Sequence, residues 1–211
     1  MFILSGQSNM TGGLEKGFAD TVRTALGEGH VTIVRSMRGG RGIRFWVDDY
    51  ALPASHELHG RLQAGNGEEY PRLLRAVNDA GDRGDVETVT LIWMQGESDA
   101  SRHLGVAYER SFNSLRSRLE KDLGIGRMHF VIGRISDHGL VGDSAAGWKE
   151  VRSIQQKIAE ADPLGSWIDT DDLNGGDEQR PQGDLHYPPH ESVMLGERFA
   201  EAALRQLQAS D

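Results

Sequence analysis

Four short segments hold the residues of this chain that could do chemistry. The first is "SGQSNM" at residues 5–10, where an apolar start runs at once into small and polar residues around Ser8. The second is "SMRGGRGIRFW" at 36–46, the third "WMQGESD" at 93–99, and the last "GDLHYPPH" at 183–190. Together they supply a hydroxyl, paired glycines, a carboxamide and an imidazole. Acyl transfer needs this inventory: a nucleophile, a base to take its proton, and donors for an oxyanion. Each segment also has a plainer reading. Ser8 is a residue type favoured as a helix N-cap, and Gly39-Gly40 is a common turn pair. Gln95-Gly96 could simply end a buried strand, and His186 could be a surface histidine. The catalytic reading depends on all four segments reaching one surface.

The elements between them provide that surface. Residues 2–4, 30–35, 86–94, 128–135 and 166–169 read as β-rich runs. Helical patterns are expected over 18–26, 70–80, 148–161 and 191–207, and the clearest has Leu104, Tyr108, Phe112, Leu115 and Leu119 on one face. Strands alternating with helices predict an α/β fold with a parallel sheet and helices on both faces. The irregular stretches 37–68 and 170–190 both follow strands. They therefore belong at the carboxyl edge of the sheet, where open α/β sheets bind ligands. No repeat or low-complexity linker interrupts the chain, so one domain over 1–211 is expected.

Composition narrows the function. A formal net charge of -9 argues against a nucleic-acid partner, which would meet a basic face. No apolar run approaches the ~20 residues of a membrane helix. The chain has no cysteine, which removes disulfides and thiol nucleophiles. No signal peptide is legible at Met1-Phe2-Ile3-Leu4. The chain as written is expected to be cytoplasmic, or secreted or periplasmic where a leader has been removed. "HELH" at 56–59 lacks the His-Glu-x-x-His spacing, and Pro188-Pro189 prevents a helix from aligning His186 with His190 as ligands. "DTDDLNGGDE" at 169–178 lacks the Gly and Glu of a calcium loop. Arg38, Arg41 and Arg44 form a basic cluster, with Asp48 and Asp49 as the expected partners and an acidic sugar as the alternative.

The four segments resemble the SGNH (GDSL-like) hydrolases, in particular their sialate O-acetylesterase and acetylxylan esterase branch. Gly6-Gln7-Ser8-Asn9-Met10 is similar to the first block. Ser36, Gly39, Gly40, Ile43 and Trp46 match the second, Trp93, Gln95, Gly96, Glu97, Ser98 and Asp99 the third, and Asp184, Leu185, His186 and Tyr187 the last. The resemblance implies a three-layer α/β/α sandwich of flavodoxin-like type, with a five-stranded parallel sheet in the order 2-1-3-4-5. It implies a serine esterase acting on O-acetylated carbohydrates, without metal or cofactor. The alternatives are a lipid or thioester hydrolase on the same fold, or a non-catalytic carbohydrate-binding relative. The oligomeric state is left open.

The resemblance also implies roles. Ser8 would be the nucleophile and His186 the base. The oxyanion would sit on the N–H of Ser8, the N–H of Gly39 (or Gly40) and the side chain of Gln95. Gln7, Asn9, Glu97 and Asp99 would support the site, and Trp46 would either stack on a sugar or pack in the core. The family's orienting acid lies three residues before the histidine, where this chain has Gly183. Asp184 is the nearest candidate; a backbone carbonyl, Asp177, Glu178 or a bare Ser-His pair are the others.

Overall fold

The computed structural model describes residues 1–81, 86–175 and 183–209. Among these, five strands form one parallel sheet: β1 (Phe2–Gly6), β2 (Ile33–Met37), β3 (Thr90–Met94), β4 (His129–Gly133) and β5 (Gly165–Ile168), in the order β2-β1-β3-β4-β5. The order matches the expectation. The central strands are buried on both faces, so they read as unbroken apolar runs rather than alternating ones.

Alternate side chains nevertheless serve different layers. Ile3, Leu91, Trp93, Phe130 and Ile132 pack with α2 (Tyr70–Asp79), α4 (Tyr108–Leu123) and α5 (Ala145–Glu160). Phe2, Leu4, Ile92, Met94 and Val131 face α1 (Gly12–Leu26) and α6 (Pro189–Gln208). The helices thus cover both faces. A one-turn helix, α3 (Glu97–Ala100), follows β3. Among the described residues, no helix is long and apolar enough to cross a membrane.

Several boundaries differ from expectation, two of them for clear physical reasons. β3 starts at Thr90, not Val86, because its neighbour β1 begins at Phe2, opposite Thr90, and no partner strand extends further back. α1 starts at Gly12, well before residue 18. Thr11 caps it, its side-chain oxygen accepting from the N–H of Leu14 at 3.1 Å. Glycine is a poor helix former, but here α1 crosses α6 closely. A Cβ on Gly17 would lie 2.1 Å from the Val193 carbonyl oxygen, and one on Gly196 2.0 Å from that of Leu14. Tertiary packing overrides local propensity at this crossing.

Candidate active site

Ser8 sits in a tight turn at the carboxyl end of β1. Gly6 has a φ of 142°, and a Cβ there would lie 2.0 Å from the Met94 carbonyl oxygen, so β1 can end beside β3 only as glycine. The N–H of Gln7 then donates to that same carbonyl at 2.9 Å, and the N–H of Met10 closes the turn on the Gln7 carbonyl at 2.9 Å. Met10 is buried beneath it. Since Thr11 caps α1, Ser8 is not the N-cap, and its hydroxyl is not spent on the helix. Oγ of Ser8 lies 2.9 Å from Nε2 of His186, a residue 178 positions away.

His186 is exposed, on a loop whose path is set by its main chain. Gly183 has a left-handed φ of 61°, and a Cβ there would meet both the carbonyl oxygen and Oδ1 of Asn174 at 2.4 Å. A side-chain acid does not fit at this position. The Gly183 carbonyl lies 3.1 Å from Nδ1 of His138. The N–H of Asp184 donates to the Asn174 carbonyl at 2.7 Å. Nδ2 of Asn9 donates to the Leu185 carbonyl at 3.0 Å. Tyr187, buried behind the loop, donates from its hydroxyl to Oγ1 of Thr170 at 2.8 Å. No hydrogen bond or ion pair joins Asp184 to His186, and Nδ1 of His186 has no hydrogen-bond partner among the described residues. Asp177 and Glu178 lie outside the described residues.

The loop after β2 closes on the serine from the other side. Arg38 N–H donates to the Gly6 carbonyl at 3.0 Å, and a Cβ on Gly39 would stand 3.7 Å from Cβ of Ser8. Gly40, with φ 68°, lines the cavity beside Ser8. The N–H groups of Ser8, Gly39 and Gly40 have no hydrogen-bond partner among the described residues. Of these, Ser8 and Gly40 line the cavity.

Gln95 is placed differently from expectation. It is fully buried and does not line the cavity. Its Nε2 has Asp99 Oδ2 at 2.5 Å, the Arg41 carbonyl at 3.2 Å and Gln7 Oε1 at 3.3 Å in reach. Two amide hydrogens are thereby fully committed. Gln95 holds Gln7 and the β2 loop from below. Gln7 lines the cavity, and its Oε1 also faces the N–H of Ser98 at 3.4 Å. Asp99 reinforces this joint by accepting from the N–H of Ile43 at 2.9 Å. Burial pushes its carboxyl up to about 6. Glu97 is also buried, and burial raises its pKa too. Oε1 of Glu97 accepts from Nδ2 of Asn9 at 2.7 Å, while its other oxygen has no partner among the described residues.

Residues 13–205 match the family described as carbohydrate esterase, sialic acid-specific acetylesterase. The chain belongs to this family. Members are carboxylic ester hydrolases, and the resemblance read from the four segments is thereby established. Among solved structures, a protein from Arabidopsis thaliana is similar with a TM-score of 0.62 and 21% identity, over 89% of this chain and 66% of that one. XAC1771, a carbohydrate acetylesterase from Xanthomonas citri, has a TM-score of 0.61 and 22% identity, over 94% of this chain and 41% of its own. NanS has a TM-score of 0.58 and 15% identity, over 84% of this chain and 65% of its own. These likenesses show the fold, and this chain spans under two thirds of each of these relatives. No curated protein matches the sequence.

In this esterase-family chain the serine and histidine open onto a cavity of about 700 Å³. One wall was missed by sequence reasoning. His138, Gly139, Val141 and Ser144 come from the loop after β4, and Trp148 from α5 behind it. A signal was present: β4 is parallel to the others, so its following loop must reach the same edge. Trp148 is seated by donating from Nε1 to the Ser136 carbonyl at 2.6 Å. Trp46, by contrast, is buried edge-on against Trp93, with ring centroids 5.3 Å apart, and does not line the cavity. Arg38 and Arg41 pair with Glu69 and Glu68 rather than with Asp48 and Asp49, and Arg44 donates to the Ala64 carbonyl at 2.6 Å and to Oδ1 of Asn66 at 3.0 Å. Arg41 reaches Glu68 at 3.0 Å and Arg38 reaches Glu69 at 3.6 Å, because the 37–68 loop folds back on itself. Asp48 and Asp49 instead face Arg118 and Arg110 of α4. Among the described residues, no three acidic or histidine side chains group as a metal site.

Proposed function

We propose that this chain is a serine esterase that removes O-acetyl groups from carbohydrates, with Ser8 as nucleophile and His186 as base. The observation that supports this most directly is the 2.9 Å approach of Ser8 Oγ to His186 Nε2 at the cavity wall, in a chain of a carbohydrate esterase family. Ser8 Oγ attacks the acetyl carbonyl carbon while Nε2 takes the hydroxyl proton. The oxyanion is received by the N–H groups of Ser8 and Gly39, each such donor being worth roughly 3–4 kcal/mol of barrier. Gln95 supports that hole from beneath, through Gln7 and the Arg41 carbonyl. Collapse expels the sugar oxygen, which takes the proton from His186 and leaves acetyl-Ser8. Water then gives its proton to His186 and attacks the acyl carbon. Acetate departs as Ser8 regains its proton.

Release of acetate from acetylated xylan, O-acetylated sialic acids and simple sugar acetates tests this reading and names the sugar class. Ser8→Ala is expected to abolish it, and a fluorophosphonate is expected to label the wild type at Ser8 alone. An active Ser8→Ala variant refutes the assignment. A second reading, hydrolysis of longer acyl chains, is favoured by the apolar side of the cavity at Val141, Trp148 and Leu185. Faster turnover of octanoyl than acetyl esters would select it.

A further inference from the structure

His186 reaches Ser8 without any described residue bonded to its Nδ1, on a loop where position 183 has room only for glycine. The described contacts beside it fall on the main chain of its loop. Asn9 is the residue after Ser8, and Leu185 is the residue before His186. Nδ2 of Asn9 has two hydrogens; one goes to the Leu185 carbonyl at 3.0 Å and the other to Oε1 of Glu97 at 2.7 Å. Asn9 and Glu97 are both buried. The Glu97 contact, a hydrogen bond to a carboxyl oxygen, fixes the rotamer of Asn9. Through Asn9 the backbone of the base loop is therefore gauged directly against the backbone of the nucleophile.

A second contact holds the same run of main chain earlier, at Gly183. A carbonyl only accepts, so Nδ1 of His138 carries its hydrogen toward the Gly183 carbonyl at 3.1 Å. We propose that Asn9, backed by Glu97, and His138 are positioning residues that hold the His186 imidazole on Ser8 by gripping the main chain that leads into it, at Leu185 and at Gly183. The proposal rests on the reading of Ser8 and His186 as nucleophile and base. It differs from the usual arrangement because the grip acts on the loop's carbonyls and not on the imidazole.

The test is a mutant cycle with purified protein and p-nitrophenyl acetate. Asn9→Ala is expected to lower kcat roughly 10- to 100-fold, the range for a displacement near 1 Å, with KM changed less than about twofold. In a His186→Ala background the same substitution is expected to change the residual rate less than about twofold, because no imidazole is left to misplace. Glu97→Gln retains an acceptor for Asn9 and is expected to lose less than Glu97→Ala. A wild-type kcat in Asn9→Ala, or an equal fractional loss in both backgrounds, overturns the proposal. If Asn9→Ala does not fold, His138→Phe is taken through the same cycle under the same criteria. A wild type that neither hydrolyses the ester nor forms a fluorophosphonate adduct overturns the esterase reading and this one together. That result is distinct from an active wild type indifferent to Asn9.

Discussion

The turn carrying Ser8 and the loop carrying His186 meet at 2.9 Å, yet different forces hold them. The turn grows out of the sheet. Gly6 abuts the Met94 carbonyl, Gln7 bonds to it, and Met10 is buried in the core on the α1–α6 side. The loop lies on the surface, tied down by Asn174, Asn9 and His138 at its main chain and by Tyr187 at its end. Apolar burial is cooperative with the whole fold, whereas a loop held chiefly by a few hydrogen bonds opens locally at smaller cost. The nucleophile side is thus coupled to global stability, and the base side chiefly to activity.

The sharpest way to break this contrast is to remove the reacting groups. Ser8→Ala and His186→Ala are each expected to lower kcat on an acetyl ester at least ~10³-fold while leaving the urea midpoint nearly unchanged. A large loss of stability in either would show that the pair also holds the fold together. The two glycines come next. Gly6→Ala forces a Cβ onto the Met94 carbonyl and is expected to destabilise the protein by more than ~3 kcal/mol in urea unfolding. Gly183→Ala meets a comparable clash against Asn174 in the loop, and is expected to lower kcat with under ~1 kcal/mol lost in unfolding. Equal destabilisation by both would erase the distinction.

Asp99, beneath the nucleophile side, makes a pH prediction. Burial raises its carboxyl from an ordinary 3.8 to about 6, so between those values the folded chain binds the proton more tightly than the unfolded chain. Stability from this group therefore falls as pH rises from 4 to 6, with the penalty complete above that. Asp99→Asn removes the ionisation. Relative to wild type it is expected to gain up to ~3 kcal/mol between pH 4 and pH 7, measured by urea unfolding at both pH values. A pH-independent difference would mean that Asp99 titrates normally. The smallest effect is expected at Asp184, which makes no bond to the imidazole. Asp184→Asn should lower kcat less than about tenfold, and a loss near that of His186→Ala would make Asp184 the orienting acid after all.

Much of the site could be read from local signals. The strand–loop alternation placed Ser8, Gly39, Gln95 and His186 at one edge of a parallel sheet, because apolar runs and turn residues report on neighbours a few positions apart. The same signals misjudged the start of α1, where Gly13 and Gly17 look like breakers until α6 is packed against them. They also left out the loop after β4, whose residues His138 and Val141 belong to no segment with chemistry of its own.

The sequence by itself determined the α/β architecture, through its alternation of strands and helices, and the family, through the resemblance of four ordered segments, which also implied that Ser8 and His186 would meet. Only the tertiary structure decided which carboxamide faces the cavity and which lies below it. It also showed that Trp46 and the arginines serve the scaffold, and that position 183 has no space for an acid. Those outcomes depend on which atoms crowd together once segments as far apart as Gln7 and Gln95 are folded against each other, and crowding leaves no local trace in the chain.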